Sequence, residues 1–333
     1  MLRRLAIVVV LTCSAAAQAA PPALEFDGRL TLGPSWDTNV RRRSAGAGVV
    51  SDEGLFLLAA GDLVWRPADG HRTSLSWDGG SRVFDEVGSE DQLVHLLTAG
   101  HALQVGEAFV AGAELRRRDQ LLRSGARSSA DSAGSLFLEW QGMPRLVPRL
   151  RAGWRRFDWW PDETWSATGP WGGLSLQARP FARHLASAGY EAHLREFPDR
   201  REVLHQGHLG WTWRSGVVLS GSYLLGVAGS DVPGYASVRH RFQLLFGSRL
   251  PAGFLLNAQA VLQLVEFPEG FRLDQFTVAD DEESLSSLSL KLARPLGSGL
   301  SIEARYQLHL ATFVKADLTY ERHVLATALT WRF

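Results

Sequence analysis

YERHVLATALTWRF, residues 320–333, is the stretch whose reading decides the fold. Taken every second residue back from the end, Phe333, Trp331, Leu329 and Leu325 fall on one side, and Arg332, Thr330, Ala328 and Ala326 on the other. Side chains alternate across an extended chain, so this is a strand with one oily face and one small or polar face. A soluble protein can also end on such an edge strand. The remaining residues decide whether this one does.

The same alternation recurs along the chain in about sixteen segments of roughly 10 to 15 residues, the weak per-segment signal of a sheet with one apolar and one polar surface. It opens at residues 24–37, where Leu24, Phe26, Leu30 and Leu32 face one way and Glu25, Asp27, Arg29 and Thr31 the other. Residues 300–311 alternate without a break: Leu300, Ile302, Ala304, Tyr306, Leu308 and Leu310 against Ser301, Glu303, Arg305, Gln307, His309 and Ala311. Residues 238–250 and 254–265 read in the same way, with Arg239, Arg241, Gln243, Asn257, Gln259 and Gln263 on the polar side. Residues 55–65 and 91–104 are apolar on both sides, and their register is not legible.

Between these segments short and long connections take turns. Residues 66–70, 105–107, 144–148, 180–183, 214–216, 251–253 and 296–299 are compact and rich in Pro and Gly, whereas 39–54 and 268–283 are long. The aromatic residues sort with them. Trp65, Trp140, Trp211, Trp213, Trp331 and Phe333 are expected at the short-turn ends, and Trp36, Phe84, Trp159, Trp160, Trp171, Phe197, Phe267 and Tyr320 at the long-loop ends.

From the strand at residues 24–37 to Phe333, these features resemble the bacterial outer-membrane β-barrels. The resemblance implies an all-β fold: a closed antiparallel transmembrane β-barrel of about sixteen strands, with short periplasmic turns and longer outer loops. It implies that Trp331 and the terminal Phe333 form the assembly signal read by the barrel assembly machinery. It also implies that residues 320–333 pair with 24–37 to close the wall. The partners implied are outer-membrane lipid and, for an exporter, periplasmic export or envelope-complex proteins. No particular family within the class is matched by a motif.

The N-terminus agrees with that location. Arg3 and Arg4, the apolar run 5–11 and the small residues 14–20 have the layout of a secretory signal peptide, with Ala17 and Ala19 meeting the small-x-small rule. Residues 1–19 are therefore expected to be the signal and 20–333 the barrel. Cys13, the single cysteine, falls inside the signal, so the mature chain has neither a disulfide framework nor a thiolate metal site. No later apolar run approaches the ~18 residues of a membrane helix. Basic and acidic residues balance at 35 each, which argues against a nucleic-acid partner.

With the polar faces turned inward, a barrel of this size leaves an aqueous lumen. Arg29, Arg72, Arg116, Arg118, Arg149, Arg151, Arg195, Arg239, Arg241 and Arg305 would line it, joined by Arg82, Arg155, Arg214, Arg249, Lys291 and Arg332. Fewer acids share these faces: Glu25, Asp27, Asp78, Glu114, Glu139, Glu191 and Glu303. A confined basic excess concentrates anions and repels cations. The choice of arginine says little, because all but two of the 35 basic residues are arginine. Some of these charges would instead link strands, as Glu114 with Arg116 and Glu303 with Arg305 on shared faces.

The other motifs point nowhere sharper. His205 and His208 are three apart and fall on opposite faces of a strand, so they cannot share a metal. Glu191, His193 and Arg195 share one face and, with His208, suit a polar cluster. The acidic run 280–283, with Asp274, reads as a solvated loop in preference to a calcium site. No nucleophile motif, cofactor motif or metal set appears, and an enzyme is not expected. The reading is an outer-membrane channel for passage or export of polar, anionic solutes or polysaccharide. Its alternative is a non-conducting barrel that anchors an envelope-spanning or cell-surface assembly.

Overall fold

A computed structural model of the chain describes residues 23–42, 49–125, 128–268, 286–311 and 319–333. The residues expected to form the signal peptide and the acidic run 280–283 with Asp274 lie outside them. The wall consists of β1 (Ala23–Asp37), β2 (Asp52–Arg66), β3 (His71–Phe84), β4 (Gln92–Val105), β5 (Phe109–Leu122), β6 (Ser129–Trp140), β7 (Leu146–Trp159) and β8 (Ala167–Ala178). It continues with β9 (His184–Glu196), β10 (Arg201–Ser215), β11 (Val217–Ser230), β12 (Ser237–Arg249), β13 (Leu255–Glu266), β14 (Ser286–Gly297), β15 (Leu300–Ala311) and β16 (Tyr320–Arg332). Each strand pairs antiparallel with its neighbours in sequence and β1 pairs with β16, so the sheet closes and no edge is left unpaired. The compact turns expected from Pro and Gly all lie at one end, with both termini. One boundary differs: Pro148, expected in a turn, lies inside β7 on its outward face.

The closing seam depends on the last residue and on two glycines. Phe333 donates its N–H to the Gly28 carbonyl at 3.0 Å and accepts from the Gly28 N–H at 2.8 Å. Its ring packs 4.7 Å from Trp331 and 6.0 Å from Phe26 and covers Gly28, where a Cβ would stand 2.4 Å from the ring. At Gly33 a Cβ would lie 1.8 Å from the Thr327 carbonyl oxygen. Only glycine allows β16 to approach there. Pro34 beside it has no N–H to give, and the β1–β16 register is interrupted at these two residues.

Alternate residues on each strand form an exposed apolar surface. Leu115, Leu136, Leu174, Leu209 and Leu329 are between 55% and 69% exposed. Burying each such side chain stabilises by roughly 1.5–3 kcal/mol, so a belt of them running around the molecule needs lipid, not water, against it. The opposite faces are polar and meet inside the barrel.

The outer aromatic girdle is not composed as the sequence suggested. Phe84, Trp159 and Tyr320 are buried, and Trp171 stacks on His193; all four are on interior faces. Trp36 and Trp160 are exposed as expected. The level is marked instead by diagonal cross-strand pairs on the outward surface. Tyr190 with His205, Tyr223 with His240 and Tyr306 with His323 each place the tyrosine hydroxyl 2.5 to 2.8 Å from the histidine Nδ1. The Trp154 Nε1 donates to the Thr168 hydroxyl at 2.8 Å in the same relation. In every pair the polar partner sits two residues closer to the outer end than the residue directly opposite the aromatic. Rings with a polar tip suit a boundary that is apolar on one side and wet on the other. The sequence reading sorted aromatics by height alone, whereas parity along each strand decides which way they point.

The loops at that end are anchored by side chains. The Asp52 carboxylate accepts from the N–H groups of Glu86 and Val87, drawing the β3–β4 connection over the buried trio Val40, Phe84 and Val87. Asp162 accepts from the Thr164 N–H and hydroxyl at 3.0 and 2.7 Å, and these bonds hold its carboxyl below the usual carboxylate range.

Candidate functional site

The register places Arg29, Arg72, Arg116, Arg118, Arg149, Arg151, Arg195, Arg239, Arg241 and Arg305 on the interior surface, opposite the exposed leucines of their own strands. Their surroundings divide them. Arg149 donates to Glu114 at 2.7 Å and lies 3.9 Å over the Phe137 ring. Arg151 is 3.5 Å from Glu191, which also meets the His193 Nε2 at 3.4 Å. Arg195 donates to Glu202 at 2.6 Å, and Arg305 to Glu303 at 2.9 Å, with Lys291 3.8 Å from the same Glu303. Arg155 and Asp131 form a two-point pair at 2.7 and 2.8 Å. These cations are tied to the wall.

Glu114 is a correction to the sequence reading: it bonds Arg149 of β7, not its neighbour Arg116 on β5. Arg116 and Arg241 have no carboxylate within 4 Å among the described residues, and neither do Arg72, Arg214, Arg249 and Arg332 nearer the short-turn mouth. Arg29 is held only loosely, 3.9 Å from Asp78. The expected cluster at Glu191, His193 and Arg195 is split: Glu191 joins His193 to Arg151, while Arg195 turns to Glu202. His208 lies beside Gly189 on the inner face and His205 points outward to Tyr190, on opposite sides of β10.

The pattern resolves into two kinds of wall. On β1–β3 the interior positions hold Glu25, Asp27, Asp37, Asp52, Asp62 and Asp78 beside Arg29, Arg66, Arg72 and Arg82. On β11–β14 they hold Arg239, Arg241, Arg249 and Lys291 among Gln243, Asn257, Gln259 and Gln263, with no inward carboxylate at all. Glu266, the one acid in those strands, is opposite Val238 on the outward face. Among the described residues the buried Arg241 Nε has no hydrogen-bond partner.

One interior pair was missed. Arg322 of β16 donates to both oxygens of Asp37 on β1 at 2.5 to 3.0 Å, with the Asp37 side chain fully buried and the Arg82 guanidinium 3.6 Å away. Arg322 shares parity with Arg332 and Thr330, so the alternation that opened the reading would have found it. Nearby, Thr31 and Thr330 share a hydrogen bond of 2.9 Å across the seam, both fully buried.

A closed wall of sixteen strands, a continuous exposed apolar belt and a polar interior define a bacterial outer-membrane β-barrel. Among solved structures the chain is similar to an anion-selective porin from Comamonas acidovorans, with a TM-score of 0.57 over 94% of this chain and 100% of that one, at 10% identity. It is also similar to Salmonella typhi OmpF in complex with daunomycin, with a TM-score of 0.51 over 94% and 98% of the two chains, again at 10% identity. Identity this low establishes a shared fold and nothing finer. No family model and no curated protein matches the chain.

Proposed function

We propose that the protein is a passive outer-membrane channel for polar, anionic solutes. The observation that carries this reading is the wall β11–β14, whose strands turn Arg239, Arg241 and Arg249 to the lumen and no carboxylate, with no acid within 4 Å of Arg241 or Arg249 among the described residues. Fixed guanidinium groups in a confined aqueous passage raise the local concentration of anions, and each has a planar donor edge that fits carboxylate or phosphate. The pairs on β5–β10 and β15 supply a rigid lining, which keeps those charges from collapsing into the passage. The name of the Comamonas porin agrees with such a preference. An acidic polysaccharide is the extended form of the same solute class, and its export would draw on periplasmic partners.

Single-channel recording of the full barrel in a planar bilayer under a KCl gradient tests the proposal. The reversal potential is expected to show chloride preference. Cation preference would overturn it, and a barrel without conductance would be the anchoring alternative.

A further inference from the structure

Most charged side chains of the wall face inward; the outward exceptions include the pair Glu196 and Arg201 and, in one sector, two pairs at the same height. Arg117 and Asp119 on β5 and Arg156 and Asp158 on β7 point outward, in line with Leu115 and Trp154 below them. Ser132 of β6 is directly opposite both arginines. The two guanidinium groups therefore stand on one row, two strand spacings or roughly 10 Å apart. They begin where the apolar residues stop, at the height of the Trp154–Thr168 pair that belongs to the outer girdle.

The charges balance formally, yet the acids and bases are not equally presented. The Asp119 side chain is 7% exposed, whereas those of Arg117 and Arg156 are 57% and 67% exposed. Asp119 accepts from the Arg117 Nε and Nη2 at 2.9 Å and from the His95 Nε2 at 2.9 Å. Asp158 takes the Arg156 Nε at 2.9 Å. Asp119 thus holds the Nε–Nη2 edge of Arg117 and Asp158 the Nε of Arg156, while most of each arginine side chain stays exposed. What the surface offers is basic. Salt bridges of this kind add little stability where they are exposed, so their repetition at one height on β5 and β7 calls for something else.

We propose that this sector binds the phosphorylated headgroup of an outer-leaflet glycolipid, with Arg117 and Arg156 each taking a phosphate ester while the acyl chains lie along Leu115, Leu136, Leu150 and Trp154. Position selects the source: the guanidinium groups face the lipid side just above the apolar belt, where a headgroup is held and a free anion is not. A planar fork with a free edge pairs with phosphate at two points. This site is separate from the lumen and does not depend on conduction.

The full barrel, folded in detergent, is incubated with diphosphoryl lipid A or with its dephosphorylated form, and retained lipid is read by native mass spectrometry. Wild type is expected to retain the diphosphoryl form, and the Arg117→Gln/Arg156→Gln variant to bind it at least about tenfold more weakly. Arg117→Lys/Arg156→Lys should recover part of the loss. Heat-modifiable migration establishes that each variant is folded. Equal retention by wild type and the glutamine variant, or equal retention of the two lipids, would overturn the proposal. So would a dimer of the wild type that the variant loses, since the sector would then be a contact between copies.

Discussion

The walls β1–β3 and β11–β14 share a fold, a strand length and an alternation, and differ in what occupies the inward positions. On β1–β3 six acids share the inward face with four arginines, Arg66 pairing with Glu25 and Arg82 with Asp37, and toward the seam the pairing becomes dry: Asp37, Thr31 and Thr330 are fully buried and Arg322 nearly so. On β11–β14 the strands present small residues and amides and no inward carboxylate, and Arg241 and Arg249 have no acid within 4 Å among the described residues. The difference teaches that interior charge in a barrel serves two ends. Paired and buried it joins strands; unpaired and wet it biases the contents of the lumen.

The strongest way to break this contrast is to reverse the basic wall. Arg239→Glu with Arg241→Glu changes the lumen by four unit charges. At ~8 Å in water these are worth about 2 kcal/mol together, roughly thirtyfold in local anion concentration before salt screens it. Reversal potentials under a KCl gradient should move from chloride to potassium preference. An unchanged potential would mean that these positions do not set selectivity.

The seam answers to a different measurement. Asp37→Asn leaves Arg322 buried against a neutral partner and should cost about 3–5 kcal/mol, read as a lower urea midpoint for unfolding of the liposome-inserted barrel, with the reversal potential nearly unaltered. A large selectivity change with no loss of stability would erase the distinction between the two walls. The smallest effect is expected at their border. Glu303→Gln frees Arg305 and Lys291 and should raise chloride preference about twofold, the weight of one charge at ~8 Å.

Much of this architecture was legible in the sequence. The unbroken alternation of residues 300–311 coincides with β15, and residues 320–333 and 24–37 do form the closing pair. Illegible were the directions of Phe84, Trp159, Trp171 and Tyr320, since a strand end near a loop gives height without parity unless the whole strand is counted. The outward row of Arg117 and Arg156 was hidden for a related reason: Arg116, Arg117 and Arg118 are consecutive, so composition marks the segment as basic while only register separates the lumen from the lipid face.

By itself the sequence determined that the chain is a closed barrel with an oily exterior, because a period of two and the spacing of turns are local properties that survive any arrangement of neighbours. Only the tertiary structure decided which charges are spent. Glu114 passes over Arg116 on its own strand to reach Arg149 two strands away, and the Arg305 guanidinium of β15 lies 5.6 Å over the Phe56 ring of β2, across the seam. Such partners depend on strand stagger, wall curvature and side-chain reach, none of which is written in the spacing of residues along the chain.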